Sequence, residues 1–153
     1  MIKFKVDMKP LQKQLNGKTL KASQTVTGII GSDMKKEVEM RFRTERGSDG
    51  SPWQPLKYRS LIAKYNRGLR KSQGKKAVRG RSKILQDTGT LKRSITMRHD
   101  NREAAVGTNI KYAKVHNFGF GKKNIPARPY MGLSRRQKEK YREIIRKWKN
   151  REL

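Results

Sequence analysis

The stretch Ile95-Thr96-Met97-Arg98-His99-Asp100-Asn101-Arg102-Glu103-Ala104-Ala105-Val106-Gly107-Thr108 decides the fold class. Ile95 and Met97, spaced by two, begin a strand. Asp100-Asn101 supplies a hairpin turn, and Ala104, Val106 and Thr108 share one face of the returning strand. At the start of the chain Ile2, Phe4 and Val6 alternate with Lys3, Lys5 and Asp7, the period of a half-buried strand. Between these pieces the spacing predicts a long helix over 19–44. There Val26, Ile30, Met34, Val38 and Phe42 recur every four residues and make one apolar stripe. Gly28 and Gly31 weaken that helix by about 1 kcal/mol each relative to alanine, so packing must hold it. Ser134 with Gln137 is a capping-box pair and opens a C-terminal helix over 134–150, with Tyr141, Ile144, Ile145 and Trp148 as its buried stripe. The sum is an α+β fold: a small antiparallel β-sheet packed with a long helix and a C-terminal helix.

Shorter segments fill the gaps. Met8, Leu11 and Leu15 fit a short helix that Asn16-Gly17 ends. Residues 47–55 are dense in turn formers around Trp53, and 58–69 read as a helix with Leu61, Ile62 and Tyr65 on its apolar face. Ile110, Ala113 and Val115 suit either a strand or a short helix. Residues 125–129 must be extended, because each of Pro126 and Pro129 disfavours helix in the residue before it.

The chain has 153 residues, the length of one domain, with 40 Lys plus Arg against 12 Asp plus Glu and a formal charge of +28. Such a field repels its own copies and attracts polyanions. Only 33% of the residues are hydrophobic, which predicts a thin core. With no cysteine there are no disulfides, thiolate zinc sites or cysteine nucleophiles. No apolar run is long enough to cross a bilayer, and the alternating start is unlike a signal peptide, so no membrane is expected and the host cytoplasm is the expected place of assembly.

Enzyme signatures are weak. Asp87-Thr88-Gly89 matches the aspartic protease triplet, but that chemistry needs two copies sharing a proton, and Asp-x-Gly is an ordinary turn. His99 and His116 are the only imidazoles, without carboxylates at metal-ligand spacing between Glu103 and Glu139; His116 reads as a packed residue bonded to a neighbour. Gly119 and Gly121 before Lys122 lack the spacing of a phosphate loop. Asp33, Glu37 and Glu39 read as the solvated side of the long helix. No catalytic residue, metal or cofactor is expected. The cationic run Lys64, Arg67, Arg70, Lys71, Lys75, Lys76, Arg79, Arg81 and Lys83, with its basic loop at 70–83, is the expected polyanion- or partner-binding segment. Residues 50–86 hold eleven Lys or Arg and no acidic residue. Phosphate contacts would release counterions and position a duplex without reading it, so a sequence-independent nucleic-acid-binding protein is the alternative reading.

Motifs in order carry a resemblance: Arg41-Phe42 followed by Gly47 to Leu56, then Ile84-Leu85-Gln86-Asp87-Thr88-Gly89-Thr90-Leu91-Lys92-Arg93-Ser94-Ile95, then Val106-Gly107-Thr108 with Tyr112-Ala113 and His116-Asn117-Phe118-Gly119, then Ile125-Pro126-Ala127-Arg128-Pro129-Tyr130-Met131-Gly132-Leu133-Ser134. Together they resemble the phage virion morphogenesis family, the tail-completion proteins of Mu-like and P2-like phages. The resemblance implies a structural neck protein that joins the finished tail to the filled head, with kinship to tail-terminator proteins. It also implies a homo-oligomeric ring, often hexameric, around the DNA channel, with head connector or portal-side proteins and the tail terminator or tail tube as partners. Contact with packaged DNA would be non-specific. Trp53, Tyr112, Phe118, Phe120 and Tyr130 are the candidate subunit-interface anchors, since interfaces favour aromatics and arginine; core positions are the alternative for Tyr112 and Phe118. His116 belongs to the same motif. Pro126 and Pro129 make a stiff arm, with Arg128 between them preorganised to meet a carboxylate or a cluster of carbonyls.

Overall fold

The computed structural model describes residues 2–7, 20–72 and 83–150. Strands β1 (Ile2–Asp7), β2 (Thr96–His99) and β3 (Glu103–Thr108) form an antiparallel sheet in the order β1-β3-β2. The expected hairpin closes at Asp100, whose carboxylate accepts the amides of Arg102 at 2.6 Å and Glu103 at 2.8 Å. Those two bonds hold the Asp100 carboxyl below its ordinary range. β3 is central because the first strand pairs along its other edge, Ile2 opposite Thr108 and Val6 opposite Ala104.

Helix α1 (Leu20–Thr44) lies on the inner face of this sheet. Val26, Ile30, Met34, Val38 and Phe42 are all buried, and the four-residue stripe is the core seam. Gly28 and Gly31 have a packing reason that their helix propensity conceals. A Cβ on Gly28 would stand 3.1 Å from the His99 ring, and one on Gly31 would stand 3.1 Å from Met97. Their small size lets the helix approach β2 closely, offsetting the local penalty.

Helix α2 (Tyr58–Ser72) follows the turn-rich segment, and α3 (Thr90–Arg93) is a single turn entered through Gly89 in the left-handed region. The segment after β3 resolves as helix α4 (Ala113–Phe118), not as a strand. Helix α5 (Arg135–Lys149) starts at the expected capping box, with Ser134 Oγ accepting from the Gln137 amide and Gln137 Oε1 from the Ser134 amide. Tyr141 and Trp148 are buried, Ile144 and Ile145 half-buried. Asp33 is not merely solvated: it accepts from Lys140 Nζ and from Tyr141 Oη at 2.8 Å, joining α1 to α5. The short helix expected over Met8 to Leu15 and most of the basic loop lie outside the described residues. Among the described residues no helix is long and apolar enough to cross a membrane.

Candidate functional site

The end of α1 organises everything that follows. Arg41 and Phe42 are both buried, and their side chains serve different halves of one junction. The Arg41 guanidinium donates to the carbonyls of Tyr130 at 3.0 Å and Gly132 at 2.8 Å, and to Gln137 Oε1 at 2.7 Å. Burial holds its pKa below the ordinary arginine value, with the Glu37 charge opposing. Phe42 meets the edge of Trp53 at 5.7 Å between ring centroids and Tyr130 at 5.1 Å. Tyr130 Oη donates to the Ala113 carbonyl at 3.0 Å, and Asn117 Oδ1 accepts the Met131 amide at 2.8 Å. On the other side Glu45 Oε1 accepts the Ile84 amide at 2.8 Å, and Gln86 Nε2 donates to the Phe42 carbonyl. The sequence motifs, separated along the chain, thus converge on one buried junction whose polar groups are largely paired.

At the edge of this junction sits Arg128, only 6% exposed. Its Nε and Nη2 donate to the Gln54 carbonyl at 3.0 and 2.9 Å, and Nη2 also to the Pro55 carbonyl at 3.3 Å. Of the two partner types expected for it, the carbonyl cluster is the one it meets. Burial lowers its pKa. The Arg128 amide donates to the His116 carbonyl at 2.8 Å. His116 Nδ1 is buried without a hydrogen-bond partner, so the residue is joined to its neighbours through its backbone, not through this ring nitrogen. Burial, and then the Arg128 charge, push the imidazole toward its neutral form. Beside these groups opens a cavity of about 300 Å³, walled by Leu56, Leu85, Leu91 and Tyr112 and edged by Lys64, Asp87 and Arg128.

The expected anchors divide. Trp53 and Tyr130 are buried inside the chain's own fold, which makes them core residues in place of interface anchors. Tyr112, Phe118 and Phe120 are exposed, Phe118 at 70%, so neither Tyr112 nor Phe118 takes the alternative core role. Pro126 and Pro129 are half-buried, and the Pro129 carbonyl accepts the Ser48 amide at 3.2 Å, fastening the arm to its own protomer. Of the cationic run, Lys64 and Lys83 come together through Lys64 Nζ and the Lys83 carbonyl at 2.8 Å. Arg70 and Lys71 belong to the backbone of α2 with Arg67, so the basic loop starts later than expected. Lys75, Lys76, Arg79 and Arg81 lie outside the described residues. Sequence reasoning missed the roles of Arg41, Asn117 and Glu45. The available signal for Arg41 was its place three residues after Val38, on the apolar side of α1. No cluster of three or more His, Asp or Glu able to hold a metal occurs among the described residues.

Comparison with known proteins agrees with the motif order. The family model described as the phage virion morphogenesis family matches residues 6–149. A Mu-like prophage FluMu G protein 2 of Haemophilus influenzae is 49% identical over 55 residues, which cover 33% of this chain and 40% of that relative's length. No solved structure matches the chain.

Proposed function

The chain belongs to the phage virion morphogenesis family, and from that premise we propose that it is a neck subunit of the virion, completing the tail and joining it to the filled head. In this reading its copies close into a ring around the DNA channel, between the head connector and the tail tube. The observation that carries the reading is the family match over 6–149, which takes in the whole buried junction. Two features support it. The junction fixes the backbone on both sides of α4, so exposed Phe118 and Phe120 are presented on a rigid base, as a repeated subunit contact requires. The +28 charge suits a component set between packaged DNA and other virion proteins.

Like charges on neighbouring copies repel, so ring closure must rest on apolar contacts and on screening by what the ring encloses. Imaging of particles made without this protein tests the reading: separate full heads and separate tails are expected, and joined infectious virions would overturn it. The same charge favours a sequence-independent duplex binder as second reading. Native mass measurement separates the two, since a ring is expected here and a monomer with tight, salt-sensitive duplex binding there.

A further inference from the structure

Helix α2 leaves its apolar side uncovered. Tyr58, Leu61, Ile62 and Tyr65 follow the i, i+3, i+4, i+7 spacing of a single face, and all are exposed, Tyr58 at 76% and the others at 38–46%. Soluble surfaces tolerate scattered apolar residues, but an ordered stripe of them marks a contact. Lys64, three residues after Leu61 on the same helix, edges the cavity, so the cavity opens beside α2.

The cavity has its own unmet requirement. Arg128 is a buried cation whose side-chain hydrogen bonds all go to neutral carbonyls, those of Gln54 and Pro55. A desolvated guanidinium without a counter-charge is costly, and an arriving carboxylate would remove much of that cost. The walls beside it are leucines, which suit the aliphatic stem of an acidic side chain better than a hydrated phosphate.

A second copy of this chain is poorly equipped to supply that carboxylate. Six of its twelve acidic side chains are engaged at home: Asp33 with Lys140 and Tyr141, Glu45 with the Ile84 amide, Asp49 with Ser51, Glu103 with Lys5, Glu139 with Arg135 and Glu143 with Arg146. Residues 50–86 offer none besides, and each copy carries a +28 charge. We propose that α2 and the adjoining cavity form one docking surface for an acidic amphipathic segment of a different protein. Its apolar residues cover Leu61, Ile62 and Tyr65, and one of its carboxylates enters the cavity to reach Arg128. This rests on the neck reading in one respect, that a second virion protein is there to be joined.

Fluorescence anisotropy with the full chain tests it, using a labelled helical peptide of Leu and Glu, its Leu and Gln counterpart, and a DNA duplex. The Glu peptide should bind about tenfold or more tighter than the Gln peptide. Leu61→Ser with Ile62→Ser should weaken the Glu peptide by about tenfold and leave duplex affinity unchanged. Thr90→Trp, at an exposed position on the cavity wall, should weaken the peptide without disturbing Arg128. Equal binding of the two peptides would overturn the proposal, as would an equal loss of peptide and duplex in the variants. Dissociation of the homo-oligomer by the α2 variant would assign the stripe to like copies and overturn it too. Unjoined heads and tails on deletion, together with absent peptide binding, would sink this proposal alone and leave the neck reading standing.

Discussion

The junction around Phe42 and the helix α2 treat their side chains in opposite ways. At the junction most charged and polar groups are brought inside and given partners, as with Arg41 on two carbonyls and an amide oxygen, Trp53 Nε1 being an exception, while Tyr130 is fully buried. On α2, only a few residues beyond Trp53, leucine, isoleucine and tyrosine are left partly in water on a helix whose sequence is rich in Lys and Arg. The first region is closed by its own chain and answers to the folding equilibrium. The second gains less from folding, and in the proposed docking its remaining exposed surface is closed by another molecule. Substitutions in the two regions should therefore be read out by different measurements.

The largest effect belongs to the aromatic centre. Phe42→Ala removes the ring that Trp53 and Tyr130 share and should cost about 3–5 kcal/mol, lowering the denaturation midpoint sharply. Arg41→Ala should cost about 2–3 kcal/mol, because the Tyr130 and Gly132 carbonyls lose this donor inside the protein and Gln137 Oε1 keeps only the Ser134 amide. Arg41→Lys should recover little, since an ammonium does not reproduce the planar fork that reaches all three. Urea unfolding of the three variants checks the series. If Arg41→Ala unfolds with the wild type, the junction is not the closed unit described above.

This contrast also explains what the sequence discloses. Period-two alternation in Ala104, Val106 and Thr108, and period-four spacing from Val26 to Phe42, record burial on one face, and the structure repeats them residue by residue. The capping box at Ser134 is legible for the same reason, being local. The direction of an aromatic side chain is not local. Trp53 and Tyr130 turn inward while Tyr112 and Phe118 turn outward, though nothing in their neighbours distinguishes them, because the choice depends on segments up to 89 residues away, the separation of Arg41 from Tyr130. Gly28 and Gly31 lower helix propensity in the sequence and reveal their purpose only against His99 and Met97. Asp33 belongs with them, since its partners Lys140 and Tyr141 come from the far end of the chain.

A smaller effect sharpens the boundary of the closed region. Ser134→Ala removes the hydroxyl that accepts the Gln137 amide and should cost about 1 kcal/mol. The loss should exceed that of an average exposed cap, because Gln137 is buried and also receives Arg41, so loosening the first turn of α5 disturbs the junction itself. A double-mutant cycle with Arg41→Ala measures this: the two losses should be less than additive, because they share Gln137 as a common partner. Simple additivity would place the cap outside the closed unit.

The smallest effect on stability is the one that separates the two regions most cleanly. Leu61→Ser with Ile62→Ser should change the unfolding free energy by at most about 1 kcal/mol, since both residues keep about 40% of their surface in water and are only partly covered by the fold. Serine lowers helix propensity slightly, so what loss there is should come from α2 itself and leave the denaturation midpoint of the rest in place. Yet the same pair should impair head–tail joining in particles, because assembly is where their burial would be realised. A variant that folds like the wild type and fails to join assigns α2 to a partner. A variant that instead unfolds as readily as Phe42→Ala would show that the stripe is part of the protomer's own core, and the contrast between the two regions would disappear.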